Sequence, residues 1–393
     1  MRNDSLYMAR CLQLARLGEY YVAPNPMVGA VLVERRNENG ELGKEVILGE
    51  GWHMQYGGPH AEPNCIRNAE KNHPEGIDYK HCTLYVSLEP CSHYGKTPPC
   101  AELIIKKGIG RVVVGCLDPN PKVAGRGVRM MEEAGIEVVV GVLEKECREL
   151  NKRFICLQEK KRPYVILKWA QTADGYIDCR LEVRGERLKV RGERLEVRGE
   201  RLEVKGERLE VRGERLEVRG ERLEVRGEGD GPLVISTPLM KQLVHQQRAE
   251  NMAIMVGTQT VLLDNPKLLT THWSGRNPIR ITLDRHGVLP AESKIFSDES
   301  ETIVYRENTD WTFILEDLAK RNIHSVLVEG GARLLNTIIE SGVYDEVHVE
   351  VGDSLGLSVE GLEFRDLGVK APEYTFRSKP KMIDGHCVYI ERH

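Results

Sequence analysis

Short runs of valine, leucine and isoleucine recur through the first third of the chain: "MVGAVLVE" (27–34), "TLYVSL" (83–88), "RVVVGCLD" (111–118) and "IEVVVGV" (136–142). Apolar runs of this length predict strands, and the stretches between them (around 61–71, 100–107 and 127–134) predict helices. Pro99 suits the first turn of the second of these helices, and Gly108 suits its end. Residues 1–21 predict an amphipathic helix capped by Asp4 or Ser5, with Leu6, Ala9 and Leu12 on one face. A second series starts at "YVILKWAQTADG" (164–175). After an interruption it continues with a helix (238–250), "AIMVG", "IRITLD", "TIVYR", a helix near 311–321, "SVLVEGG", another helix and a C-terminal strand region. Alternating strands and helices predict sheets with helices packed on their faces, hence two α/β domains.

The interruption obeys a different rule. Residues 180–228 are seven tandem copies of "RLEVRGE", departing from it only at Lys189 and Lys205. A heptad suggests a coiled coil, but the apolar residues of each copy, such as Leu181 and Val183, lie two apart and not three or four. Each copy also carries a glycine, costing about 1 kcal/mol in a helix interior. The expectation is an exposed insertion, disordered or weakly β-structured, that contributes little core. A repeat array that binds a partner needs a continuous apolar stripe, which this pattern lacks.

With 393 residues the chain is long enough for two or three domains. A formal net charge of −4 gives no global positive field to favour nucleic acid. No apolar run approaches the roughly 20 residues of a membrane-spanning helix, and the charged N-terminus does not read as a signal peptide. A cytoplasmic location is therefore expected, where thiols stay reduced. The ten cysteines are scattered and form no disulfide framework.

Two of them carry chemistry. "EPCSHYGKTPPC" (89–100) presents Cys91 and Cys100 with eight residues between them, and "PHAE" (59–62) presents His60 and Glu62. One histidine and two cysteines make a zinc donor set that leaves a fourth position for water. A carboxylate beside that water, and not on the metal, can carry its proton to a leaving amine. His60-x-Glu62 followed by Pro90-Cys91 is the arrangement of zinc deaminases. A disulfide loop, inert thiols, or a closed structural site with His93 as fourth ligand are the competing readings.

The long cysteine loop, with "PNPMVGAV" (24–31) before it and "DPNPKVAGRG" (118–127) after it, resembles the bifunctional riboflavin-biosynthesis deaminase–reductase family. The resemblance extends along nearly the whole chain outside 180–228. It implies a cytidine-deaminase-like three-layer domain over residues 1–146 and a dihydrofolate-reductase-like domain over 147–393, interrupted by the repeats. The implied chemistry is hydrolytic deamination of a diaminopyrimidinone carrying a phosphoribosylamino group, followed by NADPH-dependent reduction of ribosyl to ribityl. His60, Cys91 and Cys100 are the implied ligands of one zinc, with Glu62 as proton shuttle and Asn25 as a substrate contact. Pro63 replaces the family's usual aliphatic residue and fits a first helical turn.

"LKWAQTADGYID" (167–178), "RAENMAIMVGTQTVLLDNP" (248–266), "NPIRITLD" (277–284) and "VEGGARLL" (328–335) are similar to the reductase half. There the resemblance implies substrate contacts at Lys168, Arg248, Leu268 and Glu329. It implies cofactor contacts at Ala170, Thr260, Asp264, Gly331, Ala332, Arg333, Leu334 and Leu335. Gly330-Gly331 ends a strand and opens a helix, where free N–H groups can hold a phosphate. No G-x-G-x-x-G fingerprint supports a Rossmann domain. Pro232 and Val234 replace the family's serine and tryptophan. The expected partner is a small phosphorylated pyrimidine, with neither nucleic acid nor membrane, and with room for a homo-oligomer. The alternatives are a zinc deaminase whose reductase is impaired by the insertion, and a zinc-stabilised binding protein without catalysis.

Overall fold

The computed structural model describes residues 3–35, 45–94, 98–120, 124–179, 235–298, 300–352 and 368–393, and backbone segments between 181 and 226 and between 358 and 363. The chain divides into two compact units, residues 1–164 with 315–325, and residues 165–314 with 326–393.

In the first unit, β1 (Gly29–Arg35), β2 (Glu45–Trp52), β3 (Cys82–Leu88), β4 (Arg111–Cys116) and β5 (Glu137–Val140) form a sheet of order β2-β1-β3-β4-β5. β1 runs antiparallel to β2 and β3, and β3, β4 and β5 are mutually parallel. Six helices belong to this part of the chain: α1 (Asp4–Arg16), α2 (Ala61–Asn72), α3 (Cys100–Lys107), α4 (Arg126–Glu133), α5 (Glu144–Leu150) and α6 (Lys152–Lys160). The apolar runs lack polar alternation because both faces are covered. Ala30, Leu32, Leu84, Val86, Val112 and Val114 pack with residues of α2, α3 and α4. Val31, Val33, Tyr85 and Val113 pack with Tyr7, Met8, Cys11 and Leu14 of α1 and Cys147 of α5. This is the expected three-layer arrangement.

Two expectations for this unit need correction. The buried face of α1 is Tyr7, Met8, Cys11, Leu14 and Ala15, whereas Leu6 is exposed. Neither Asp4 nor Ser5 caps it; Asn3 is the N-cap. Asp4 instead accepts hydrogen bonds from Tyr85 and from both terminal nitrogens of the buried Arg111. That ion pair ties the start of α1 to β3 and β4, and it rolls the helix so that Tyr7 and Met8 point inward. β2 was also absent from the expected strands. Its register slips against β1 at a bulge that leaves Leu48 unpaired between Ile47 and Gly49.

The second unit holds an eight-stranded sheet. Its strands are β6 (Tyr164–Gln171), β8 (Ala253–Val256), β9 (Ile279–Leu283), β10 (Thr302–Tyr305), β11 (Ser325–Val328), β12 (Glu346–Val351), β14 (Lys381–Ile383) and β15 (His386–Arg392), in the order β10-β9-β8-β11-β6-β12-β15-β14. β15 is antiparallel to β12 and β14, and β8, β9 and β10 are parallel. The helices of this part of the chain are α7 (Pro238–Glu250), α8 (Thr258–Asp264), α9 (Trp311–Lys320), whose residues from Leu315 on count with the first unit, and α10 (Ala332–Ser341). A separate ribbon pairs β7 (Tyr176–Cys179) with β13 (Gly368–Lys370).

Where the repeats are described, their backbone forms short antiparallel strands, the longest pairing Glu214–Arg219 with Arg222–Arg226. That agrees with weak β-structure; the rest of the insertion lies outside the described residues. The chain leaves for the repeats from β7, and its return is fixed within the second unit. There Ser236 donates to Glu350 at 2.5 Å and Thr237 caps α7 through the N–H of Met240. Since both ends are anchored without help from the repeats, deleting residues 180–228 is expected to leave deamination unchanged and reduction the same or higher, loop closure costing little with length. Amine release and NADPH oxidation, measured on both proteins, check this. Loss of soluble protein or of both activities means the heptads are structural.

Candidate active sites

α2 brings the first site together. Gly49 and Gly51 on β2 let this helix approach closely: a Cβ on Gly51 falls 2.2 Å from the Cys65 nitrogen, and one on Gly49 falls 2.6 Å from the Ala69 nitrogen. His60 then stands as the N-cap of α2, with Glu62 in its first turn. Cys91 follows β3, and Cys100 opens α3. His60 Nδ1 lies 3.6 Å from Cys91 Sγ and 3.5 Å from Cys100 Sγ, and the Cys100 N–H donates to Cys91 Sγ at 3.3 Å. The three ligand atoms lie within 4.8 Å of one another.

This donor set fits zinc. The Cys100 thiol, then His60 and the Cys100 N–H, hold Cys91 down to about 4 against burial, while Cys91 and burial push Cys100 up. Its hydrogen bond with Cys91 also raises His60. A divalent cation between the three groups would stabilise both thiolates. Both cysteines are free, so there is no disulfide. His93 is exposed and outside the cluster, which leaves the fourth position open among the described residues. Glu62 is buried, and its Oε2 has no hydrogen-bond partner. Burial first, and then the Cys91 charge, push its pKa up to about 7, a value suited to taking and giving a proton.

Two residues of this site were missed in the sequence. His53 is buried between Asn25 and the backbone: its Nδ1 lies 3.0 Å from the Pro59 carbonyl and its Nε2 lies 3.1 Å from Asn25 Nδ2. A carbonyl only accepts, so Nδ1 carries the proton. Burial lowers the pKa of His53, and the neutral ring accepts at Nε2. The Asn25 amide must therefore donate to His53, which turns its Oδ1 away as a free acceptor. His53→Leu is expected to keep zinc but raise the deaminase KM roughly 10-fold, the worth of one oriented hydrogen bond; metal analysis and steady-state kinetics check it. The second missed residue is Glu89. Its carboxylate accepts from the N–H groups of Asp118, Gly125, Gly127 and Val128 at 2.8–3.3 Å, tying the "DPNPKVAGRG" loop to the cysteine loop. A lone glutamate before a Pro-Cys pair carries no sequence signal for such a role.

In the second unit, Arg248 on α7 donates through Nε and Nη2 to Glu329 at 2.9 and 2.6 Å, and through Nη1 to the Leu269 carbonyl at 3.1 Å. Burial favours a neutral Glu329, but Arg248 and Lys168 hold its pKa below the usual range. Burial lowers Lys168, against the pull of Glu329 and Glu350. Leu268 is buried beside this group in a left-handed conformation, φ 57°. Two residues after Glu329, Gly331 donates to Thr260 Oγ1 at 3.1 Å and is the N-cap of α10, with no side chain capping it. Gly330 has φ 82°, a turn that favours glycine. The first N–H groups of α10, at Ala332, Arg333 and Leu334, thus fit a cofactor phosphate, and Leu335 closes that turn onto the Gly331 carbonyl. Ala170 lies on β6 two residues beyond Lys168, and Asp264 at the exposed end of α8. Pro232 and Val234 lie outside the described residues.

Comparison with known proteins identifies both domains. Residues 1–116 match the model of the cytidine and deoxycytidylate deaminase zinc-binding region, and residues 163–353 match the RibD C-terminal domain. The riboflavin biosynthesis protein RibD of Aquifex aeolicus is 33% identical, with 97% of this chain and 95% of that protein covered. The chain belongs to the RibD family. It combines a zinc deaminase and an NADPH-dependent reductase of riboflavin biosynthesis. Solved RibD structures share the fold across both units. That of Acinetobacter baumannii has a TM-score of 0.74 at 28% identity, covering 98% of each chain. A deaminase/reductase of Thermotoga maritima has a TM-score of 0.71 at 32% identity, covering 99% of this chain and 98% of that one.

Proposed function

We propose that the first site deaminates a diaminopyrimidinone bearing a phosphoribosylamino group, and that the second reduces its ribosyl group to ribityl. The observation that carries the first half is the pairing of a three-ligand His60–Cys91–Cys100 cluster with a buried carboxylate whose Oε2 has no hydrogen-bond partner. A structural metal site has no use for Glu62 Oε2, which argues against a binding protein without catalysis.

His60, Cys91 and Cys100 hold the zinc. When bound, it supplies Lewis acidity and makes water nucleophilic near neutral pH. Glu62 takes a proton from the attacking water and delivers it to the departing amine. Asn25 Oδ1, aimed by His53, accepts a hydrogen bond from the pyrimidine.

In the second site the N–H groups at the start of α10 hold the cofactor, with Thr260 bracing Gly331 and Ala170 and Asp264 lining the cleft. NADPH supplies the hydride. Arg248, fixed by Glu329, and Lys168 orient the ribosyl group, and Leu268 walls the pocket. The preserved Arg248–Glu329–Lys168 cluster favours two working sites over a deaminase with an impaired reductase. The reduced thiols required at Cys91 and Cys100 fit a cytoplasmic setting, and among the described residues no helix is long and apolar enough to cross a membrane. Deaminase residues are assigned within 1–146 and reductase residues within 147–393. Separate assays of amine release and NADPH oxidation test the reading: either activity missing from zinc-loaded protein overturns that half.

A further inference from the structure

β12 reads Glu346, Val347, His348, Val349, Glu350, Val351. Alternation puts the three valines on one face of the sheet and the three titratable residues on the other. The parallel register with β6 sets His348 beside Lys168 and Glu350 beside Ala170, so Lys168 shares the titratable face. Two groups form there. His348 lies between Glu346 at 2.9 Å and Gln247 of α7 at 2.8 Å. Glu350 is buried, and each of its oxygens is held: Oε2 accepts from the Ser236 hydroxyl at 2.5 Å, and Oε1 accepts from His386 Nδ1 at 2.7 Å. Gly352 makes room for that imidazole, since a Cβ there falls 3.1 Å from His386 Cε1. Neither the zinc chemistry nor the hydride transfer uses this carboxylate directly.

We infer that Glu350, clamped by Ser236 and His386, is a positioning residue of the reductase: its carboxylate is the counter-charge that keeps Lys168 an ammonium. This rests on the assignment of Lys168 to the reductase site. The groups around Lys168 are Arg248 from α7, Glu329 after β11, His348 and Glu350 from β12 and, behind Glu350, His386 from β15. Arg248 and Lys168 share one carboxylate, Glu329, and both of its oxygens are bonded to Arg248. One positive charge is left in excess, and a charge held away from water needs an opposite one. Glu350 supplies it. The groups that clamp Glu350 donate without having to carry charge, because a hydroxyl is neutral and an imidazole Nδ1–H donates in the neutral ring. The charge of the carboxylate is therefore left for Lys168. The balance at the lysine has the matching signs: burial lowers its pKa, Glu329 and Glu350 raise it, and Arg248 lowers it. The reaction needs the charged form. Opening ribosyl to ribityl breaks the bond from the anomeric carbon to the ring oxygen; NADPH gives hydride to the carbon, and the oxygen takes a proton. An ammonium stabilises charge developing on that oxygen and has a proton to give it, which a neutral amine does not.

The test is kcat/KM for reduction by NADPH as a function of pH, with wild type, Glu350→Gln, Glu350→Asp and Lys168→Met. Removing the negative charge lowers the pKa of Lys168, so the ammonium is lost at lower pH. The alkaline limb of Glu350→Gln is expected to move down by about one pH unit or more, with values below the limb within about 2-fold of wild type. Above the limb this is a loss of about 10-fold or more. Glu350→Asp keeps the charge and returns the limb toward wild type. An unmoved limb in Glu350→Gln overturns the proposal, and so does an equal loss at every pH, which is what a merely structural Glu350 gives. If Glu350→Gln is insoluble, Glu350→Leu combined with His386→Phe replaces the pair by apolar groups and should show the same displacement of the limb. Undiminished reduction by Lys168→Met overturns the assignment of Lys168 itself, a different result from a lysine-dependent enzyme whose limb ignores Glu350.

Discussion

Glu62→Gln is expected to retain zinc and lose deamination by at least about 100-fold, the usual range for removing a general acid–base group. The substitution keeps the side chain's size, so α2 still packs on β2 and His60 keeps its place as N-cap. What disappears is the ability to exchange a proton. A neutral amide is also cheaper to bury than a carboxylate whose Oε2 has no partner. Folding stability should therefore hold or rise while the rate falls, a combination that a structural role for Glu62 cannot produce. Zinc content, thermal unfolding and amine release on one preparation give the answer. Near-normal amine release from the zinc-loaded variant removes Glu62 from the mechanism. NADPH oxidation serves as the internal control, because Glu62 lies outside the reductase unit.

The candidate metal cluster of His60, Cys91 and Cys100, with Glu62 beside it, was legible in the sequence because metal chemistry restricts both residue type and context. His60, Glu62, Cys91 and Cys100 are few, and their neighbours Pro90 and Pro99 mark turns and helix starts. The strands of the first sheet were legible for a related reason: covered on both faces, they read as unbroken apolar runs. β2 was not, and its glycines explain why. Gly49 and Gly51 erase the apolar signal, and the bulge at Leu48 breaks the alternation. Those same glycines let α2 come close enough to carry His60 and Glu62 to the cysteines, so the feature that hides the strand builds the site. The inward face of α1 was misjudged because it is set by a contact distant in sequence, Asp4 with Arg111. His53 acts through the Asn25 side chain and the nearby Pro59 carbonyl, and Glu89 through backbone N–H groups far along the chain; residue spacing holds no record of either. α5 and α6 are short and heavily charged, and their apolar faces are only a few residues each, Cys147 and Leu150 on one and Ile155, Cys156 and Leu157 on the other.

Cys100→Ser should give protein without zinc and without deamination, yet with NADPH oxidation intact. A serine hydroxyl stays protonated near neutral pH and cannot supply the second thiolate. With only His60 and Cys91 remaining, the donor set falls below the three protein ligands that a catalytic zinc site uses. Cys91→Ser should do the same by a second route. Cys91 Sγ also accepts the N–H of Cys100, the first residue of α3; a serine Oγ, on a shorter bond and without the thiolate charge, accepts it less well, so the start of that helix is loosened as well as the metal. The two variants are thus expected to rank: both lose about one zinc per chain, and Cys91→Ser loses more thermal stability than Cys100→Ser does relative to metal-free wild type. Metal analysis after dialysis, unfolding curves with and without chelator, and the paired assays give the full comparison. Chelator-treated wild type should match Cys100→Ser in lacking deamination and regain it when zinc is restored, whereas the variant should not. If Cys100→Ser keeps stoichiometric zinc, or if metal-free wild type still releases amine, the loop at 89–100 is no ligand loop and the deaminase mechanism has to be sought elsewhere in the first unit.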